Sequence, residues 1–411
     1  MGNRALKYWL IASILATLLW AAGCASIAEE KAPPRTFNST VAFDVYAVVG
    51  DGAQLVGSTP SEPPLTIPPC RWWYVQARPP VDIEEVRREV EEQGIPGLIL
   101  REATDADLEH LKGLTRLKML VLLFSRGVSD AGMAHLRPLT RLEFLCLYDT
   151  KVTEAGLENL KAMTALQRLD LICAPVTDAG LEHLKGLTEL KQLRLSMIRV
   201  TDRGLEYLKG LTELKELTII GAQVTGTGLE SLKALTALQK IKLAGTPVTD
   251  AGLERLTALT ALQELDLRGT QVTDAGLENL KRLTVLQRLD LGHTQVTDAG
   301  LVHLEGMAAL EQLDLMGTEV TDAGLEHLKG MAALQRLDLT GTKVTDAGLE
   351  HLKGMTALNR LNLSYTQVTD AGIEHLKGLT ALHCLSLEGT KVSDAGVEAL
   401  KKSLPNVAVS R

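Results

Sequence analysis

Aromatic residues are scarce in this sequence: Phe, Trp and Tyr make up 3% of its 411 residues. So few rings argue against a pocket lined by aromatic side chains. Lys and Arg number 43 against 51 Asp and Glu, which gives a net charge of −8. Nucleic-acid recognition needs a basic face, so we expect no nucleic-acid partner.

Cysteine and catalytic motifs are also rare or missing. The five cysteines, at positions 24, 70, 146, 173 and 384, form no CxxC pair and indicate no disulfide framework. No HExxH, GxSxG or P-loop motif occurs in the sequence. We therefore expect no enzyme activity, no catalytic residue and no cofactor.

An apolar run occupies the N-terminus, "MGNRALKYWLIASILATLLWAAGC". Arg4 and Lys7 precede the run Tyr8–Ala22, which is shorter than the roughly 20 residues that a membrane-spanning helix needs. This arrangement is typical of an export signal. Ala21–Cys24 resembles a bacterial lipobox, whose cysteine receives a lipid after cleavage, although Ala21 stands where leucine is usual.

Residues 1–24 are therefore predicted to be a signal peptide. The lipobox resemblance implies an exported lipoprotein, anchored to a membrane of the bacterial envelope through a lipid on Cys24. Ordinary cleavage after Ala25, which would give a soluble periplasmic or secreted protein, and an uncleaved anchor remain open. Residues 25–39, "ASIAEEKAPPRTFNS", combine charge with Pro-Pro and are predicted to be a tether.

Residues 40–78 are predicted to form a small β-rich segment. Strand-like runs at Val41–Val49 and Arg71–Gln76 are broken by Gly and Pro. Its stretch "LVGSTPSEPPLTIPPCRWWYVQA" is similar to PEGA-type surface β-modules, and an irregular β segment is the alternative.

Residues 79–97 are predicted to contain an N-terminal capping helix. In "VDIEEVRREVEEQG", Ile83, Val86 and Val90 lie on one helical face. A stacked array of repeats needs such a cap, because its open end would otherwise expose the core.

Residues 98–411 carry a 24-residue repeat, which is the mark of a solenoid. Valines followed by Thr or Ser recur at this spacing, at Val128, Val152, Val176, Val200, Val224, Val248, Val272, Val296, Val320, Val344, Val368 and Val392. The pattern LxxLxLxxTxVTDAGLxxLxxL resembles the leucine-rich repeat family, and most closely its ribonuclease-inhibitor and F-box-associated classes. It departs from the family at Thr342 and its equivalents, where Asn is usual.

The resemblance implies an α/β fold: a right-handed leucine-rich-repeat solenoid with about 14 parallel concave strands and short outer helices. The residues of one repeat agree with this fold. Leu337 and Leu339 alternate with polar residues, as in a strand with one buried face. Thr345 suits a helix N-cap, Gly348 would allow turns to approach closely, and Gly354 suits a left-handed helix end.

Two columns of the repeat raise the question of a metal. One column consists of His303, His327, His351 and His375. Helix axes pack about 8–10 Å apart, so these rings cannot converge on zinc. The other column, which could hold calcium or form a solvated ladder offset by Arg268, Arg288 and Arg336, consists of Asp266, Asp290, Asp314 and Asp338. We favour the ladder and expect no metal.

The repeat pattern is broken before Val248, where apolar residues replace small ones at the open strand face. These residues are Phe144, Tyr148, Ile172, Met197, Ile198 and Ile220, with Cys146 and Cys173 beside them. An exposed apolar patch of this kind often marks a binding site, so we predict that the six contact a protein partner. The alternatives are that residues 40–78 fold back over them, or that the early repeats have simply diverged.

The resemblance to leucine-rich repeats implies that the concave side of the solenoid is a protein-binding surface. The sequence therefore predicts a non-catalytic, monomeric recognition or scaffolding module of the cell envelope, with an unidentified protein partner. The alternative is a structural or adhesive envelope component that binds polysaccharide. A ubiquitin-ligase receptor is disfavoured, because the export signal and the β-rich segment leave no room for an F-box.

Overall fold

The computed structural model describes residues 34–49, 52–70 and 72–411. The predicted signal peptide, Cys24 and residues 25–33 of the predicted tether lie outside the described residues. The chain divides into two compact units, Met1–Pro175 and Val176–Arg411, so the division falls within the repeats.

The first described residues of the first unit form a β-rich segment. Its strands are β1 Arg35–Phe37, β2 Phe43–Val49, β3 Gly52–Ser58, β4 Leu65–Ile67 and β5 Trp72–Ala77. Strand β2 lies between β3 and β5 and is antiparallel to both, whereas β1 pairs with β4. Phe37 is buried, and its ring lies 5.3 Å from that of Trp73. Residues 35–37 therefore belong to the folded segment and not to a tether, because Phe37 supplies part of its core.

Helix α1, Ile83–Glu92, lies in the range predicted for the cap. The Asp82 carboxylate accepts hydrogen bonds from two backbone N–H groups of the first turn, and this fixes the start of the helix. Val86 and Val90 are buried along one face. The chain leaves the helix through Gly94, whose φ of 62° suits a residue without a Cβ.

Four repeat strands follow in the first unit: β6 Gly97–Arg101, β7 Met119–Leu123, β8 Phe144–Tyr148 and β9 Arg168–Ile172. They are parallel, and β6 also pairs in parallel with β5, so the β-rich segment continues the sheet of the repeats. The helices are α2 Asp105–Leu111, α3 Asp130–Leu136 and α4 Glu154–Leu157, the last continued by the 3₁₀ helix Glu158–Ala162.

The second unit contains only repeats. Its parallel strands are β10 Gln192–Ser196, β11 Glu216–Ile220, β12 Lys240–Lys242, β13 Glu264–Asp266, β14 Arg288–Asp290, β15 Gln312–Asp314, β16 Arg336–Asp338, β17 Arg360–Asn362, β18 Cys384–Ser386 and β19 Ala408–Ser410. With the four repeat strands of the first unit, these ten match the predicted number.

Short helices alternate with these strands. The α-helices are α5 Asp178–Glu182, α6 Asp202–Leu205, α7 Asp250–Leu256, α8 Asp274–Leu277, α9 Asp298–Leu301, α10 Asp322–Glu326, α11 Asp370–Ile373 and α12 Asp394–Ser403. The 3₁₀ helices are Glu206–Leu208, Gly228–Leu232, Glu278–Arg282, Val302–Leu304, Gly348–Leu352 and Glu374–Gly378. Leucines and valines at fixed repeat positions fill the space between strands and helices.

The structure shows what two residues of the repeat do. Thr342, which replaces the usual Asn, is buried and its hydroxyl donates to the Leu339 carbonyl at 2.7 Å. A Cβ on Gly348 would lie 2.4 Å from Oδ1 of Asp322, so this glycine permits close approach of successive turns. The prediction for Gly354 is wrong: the left-handed residue of this repeat is Gly341, at φ 68°, which follows the strand.

Candidate functional site

The strand residues that point away from the helices of the first unit form a continuous apolar face. We call this set the apolar face; its buried members are Val48, Tyr74, Ile99, Met119, Val121, Leu123, Phe144, Cys146, Tyr148 and Ile172. Tyr46 and Trp72 of the β-rich segment pack against it. The rings of Tyr46 and Tyr74 stack at 5.1 Å, which joins the β-rich segment to this face.

Phe144, Tyr148 and Ile172 therefore do not form the exposed patch that the sequence predicts. They are 9%, 5% and 0% exposed, because large apolar side chains of neighbouring strands surround them. The Tyr148 ring packs edge-on against Phe124 at 4.8 Å, and burial raises the pKa of its hydroxyl to about 12. The β-rich segment contributes to their surroundings by extending the sheet, and not by folding back as the alternative supposed.

A buried ion pair lies within the same face. Arg168 donates two hydrogen bonds to Asp170, at 3.1 and 2.6 Å, and its guanidinium lies 4.3 Å from the centre of the Phe144 ring. Two parallel bonds and a ring contact fix this arginine in one geometry. Neither group of the pair is open to solvent, so the two charges compensate each other within the face.

The three predicted partner residues of the second unit have different environments. Met197 is 37% exposed and Ile220 is half-buried. Ile198 is 4% exposed, because it stands at the repeat position of Thr246, whose side chain points into the repeat and is also buried. The prediction that Ile198 lies on the open face is wrong, whereas Met197 and Ile220 remain accessible to a partner.

The strand face of the second unit is charged and only half-buried. We call it the charged face; it comprises the outward residues of β10–β18, and most of its cations have acidic neighbours. Lys242 lies 2.8 Å from Glu264, and Arg288 lies 3.6 Å from the same carboxylate. Burial acts to raise the pKa of Glu264, but these cations, with Lys240, outweigh it and hold that pKa below its usual value.

The aspartate column occupies the centre of the charged face, and Arg268 offsets part of its charge as predicted. Arg268 lies 2.6 Å from Asp290 and 2.8 Å from Asp314. Burial, reinforced by the charge of Asp290, raises the pKa of Asp266 and of Asp314 to about 6. Within the described ranges, no group of three or more His, Cys, Asp or Glu side chains is placed to hold a metal ion.

Two arginines of this face differ from the rest. Arg336 was expected to offset the aspartates, yet neither it nor Arg360 forms an ion pair or a side-chain hydrogen bond with any described residue. Both are exposed, and they stand opposite each other on β16 and β17. The prediction is therefore wrong for Arg336.

A third feature follows the strands, where the backbone turns with positive φ. Glycine fills most of these positions in the second unit, but Met197, His293 and Tyr365 occupy three of them. Each of the three side chains lies against the glycine of the next repeat, at Gly221, Gly317 and Gly389. Of these three residues, only Met197 is among the partner residues predicted from the sequence.

The comparisons with known proteins agree with this geometry. The family model "Leucine-rich repeat region" matches residues 111–408, and the chain belongs to the leucine-rich repeat family. No curated protein matches the sequence.

Solved structures show the same fold. One is an internalin of Listeria monocytogenes, 24% identical, with a TM-score of 0.62, covering 79% of this chain and 88% of the internalin chain. Another is a leucine-rich-repeat protein of Leptospira interrogans, 17% identical, with a TM-score of 0.51, covering 81% and 92% of the two chains.

The described part of the chain contains no helix that is both long and apolar enough to cross a membrane.

Proposed function

We propose that this chain is a non-catalytic protein-binding module of the bacterial cell envelope, and that it binds its partner through the charged face. The observation that carries the proposal is the contrast between the two strand faces. The apolar face of the first unit is buried, whereas the charged face keeps half-exposed Lys, Arg and Asp side chains in fixed register. Regular, accessible polar groups on a rigid sheet suit protein recognition.

Met197 and Ile220 extend this proposed surface with apolar area. Both lie in the second unit, and Met197 is held against Gly221 by the backbone turn. Methionine adapts its shape to a partner, so an exposed methionine beside charged residues suits an interface. We assign both residues to the partner contact.

The proposed location rests on the N-terminal sequence. The run that ends at Ala21–Cys24 supports export with a lipid on Cys24, and charged residues 25–33 would separate the lipid from the folded segment. Several lipid chains would be needed for firm attachment, since one chain binds a bilayer only weakly.

Affinity capture from an envelope extract tests the proposed function. The exported chain is immobilised, and bound material is analysed for both protein and glycan. A stoichiometric protein partner is expected, whereas retention of polysaccharide without protein would replace this proposal with the adhesive alternative. The loss-of-binding variant is Lys240→Gln/Lys242→Gln, which removes two cations of the charged face and leaves the contacts of Arg268 with the aspartates in place. It should bind the partner more weakly at a nearly unchanged melting temperature.

A further inference from the structure

Arg336 and Arg360 form an arginine pair without an acidic partner. They are directly opposed on neighbouring parallel strands, whose spacing is about 4.8 Å. Like charges in this position repel each other. Arg288 occupies the same strand position two repeats earlier, but it has Glu264 beside it. Glu264 therefore offsets the charge of Arg288, whereas no acidic side chain of the described residues forms an ion pair with Arg336 or Arg360.

Two carboxylates of this surface, one on β16 and one after β18, already accept hydrogen bonds. Asp338 accepts hydrogen bonds from the backbone N–H and the hydroxyl of Thr340 and, at 3.0 Å, from the Asn362 amide. Glu388 accepts one from the Tyr365 hydroxyl at 2.6 Å. These acids therefore have partners of their own.

Beyond β17, strands β18 and β19 add no charged side chain to the face. In the central column of the face, Asn362 is followed by Ser386 and Ser410, which are joined by a hydrogen bond of 3.0 Å. Uncharged donors next to two free guanidinium groups suit an anion better than a cation. The outward residues of β16–β19 include two arginines and one aspartate, so their net charge is opposite in sign to that of the whole chain, which is −8.

Tyr365 lies just beyond the other end of β17 and is the second unusual feature of this surface. It is 58% exposed, has a φ of 57°, and lies flat against Gly389. A left-handed tyrosine is strained, and this one adds nothing to the core. Strain of this kind is concentrated at functional sites, and Tyr and Arg are the residue types that dominate binding energy at interfaces.

We propose that Arg336 and Arg360 bind the carboxylates of an Asp- or Glu-rich segment of the partner protein, with Tyr365 as an aromatic contact beyond the other end of β17. This inference rests on the proposed function and names the chemistry of the partner. A guanidinium group donates two parallel hydrogen bonds to a carboxylate, so two adjacent arginines favour a segment with neighbouring acidic residues.

Binding of a fluorescein-labelled oligoglutamate peptide to the exported chain, followed by anisotropy at low salt, tests the inference. The wild-type chain should bind this peptide and not oligoglutamine. The Arg336→Gln/Arg360→Gln variant should bind about 10-fold or more weakly, since hydrogen bonds to charged groups are lost. Arg288→Gln removes a paired arginine from the same strand position and should change the affinity by less than about 2-fold.

Equal affinity of the double variant and the wild-type chain would overturn the inference, as would tighter binding of oligogalacturonate than of oligoglutamate. Unchanged melting temperatures of both variants exclude a loss caused by unfolding. Capture from envelope extract separates the two proposals. If the double variant still captures the protein partner of the wild-type chain, the acidic-segment inference fails and the proposed function stands. If the wild-type chain captures no protein, the proposed function itself fails.

Discussion

The carboxylate of Asp322 accepts two hydrogen bonds from Thr345 in the following repeat, one from the backbone N–H at 2.7 Å and one from the hydroxyl at 2.6 Å. The same contact recurs in the first unit, between Asp130 and Thr153. A short polar bridge therefore joins the start of the helix in one repeat to the equivalent position in the next repeat. It explains why the repeat carries Thr-Asp at this point.

Removing one bridge should weaken the stacking of repeats. Asp322→Ala leaves an N–H and a hydroxyl without their acceptor, so the free energy of unfolding should fall by about 1–3 kcal/mol in urea denaturation. Glu326→Ala is the matched control, because Glu326 forms only an exposed ion pair with Lys329. The control should lose less than about 0.5 kcal/mol. Equal losses for the two variants would show that the bridge has no special role.

The two glycines of one repeat should respond differently to a methyl group. In Gly348→Ala the new Cβ would lie 2.4 Å from the Asp322 carboxylate, and we expect a loss of about 1–3 kcal/mol from overpacking. In Gly354→Ala the Cβ meets no atom within 4 Å, so stability should stay level or rise by up to about 1 kcal/mol. Thermal unfolding of the two variants measures the difference, and a destabilised Gly354→Ala would contradict it.

The aspartate column should make stability depend on pH. Burial and the charge of Asp290 raise the pKa of Asp266 in the folded chain to about 6, above its unfolded value. The folded state then binds more protons than the unfolded state, and the contribution of Asp266 to stability falls as the pH rises from about 4 to 6. Asp266→Asn removes this titration. Relative to wild type, the variant should gain stability between pH 4 and pH 7, and a constant difference would refute the assignment.

A substitution in the apolar face and one at the accessible methionine should differ in their effect on the free energy of unfolding. Tyr148→Asp places a charge in a buried apolar environment, and the free energy of unfolding should fall by about 3 kcal/mol or more. Met197→Asp changes an accessible residue in a backbone conformation that aspartate tolerates, and it should cost about 0.5 kcal/mol. Differential scanning calorimetry compares them. A stable Tyr148→Asp variant would show that this tyrosine is accessible after all.

Location is tested at Cys24. If this cysteine carries the lipid and ordinary cleavage after Ala25 removes the apolar run, Cys24→Ser should move the protein from the membrane fraction to the soluble or secreted fraction, because no lipid chain then holds it at a bilayer. Fractionation followed by immunoblotting measures the shift. Membrane association that is unchanged by the substitution would exclude the lipid anchor.

The repeat pattern was sufficient to predict the solenoid and the role of Gly348. Both follow from contacts that every repeat shares, so local sequence is enough. The environment of Tyr148 could not be predicted, because it depends on how β5 pairs with β6 and on a change of register. Met119 pairs with Phe144, 25 residues later, although the valines on the helix side keep their 24-residue spacing.

The ion pairs of the arginines could not be predicted from the repeat pattern either. Arg288 and Arg336 occupy the same position in the repeat, yet only Arg288 has an acidic side chain within ion-pair distance. The difference arises from Glu264, one strand earlier, whose equivalent before Arg336 is Gln312. The 24-residue period predicts which residues form a column along the sheet. Which of these residues form ion pairs depends on the individual side chains of the neighbouring strands.

Site-specific photocrosslinking tests whether a protein partner binds the charged face. A photoreactive residue is placed at Thr218 or Ser386 on the charged face, or at Glu326 or Lys353 on the helix side, and the protein is irradiated in envelope extract. We expect one crosslinked protein partner from the two strand positions and none from the two helix positions. Crosslinks confined to the helix positions would contradict it.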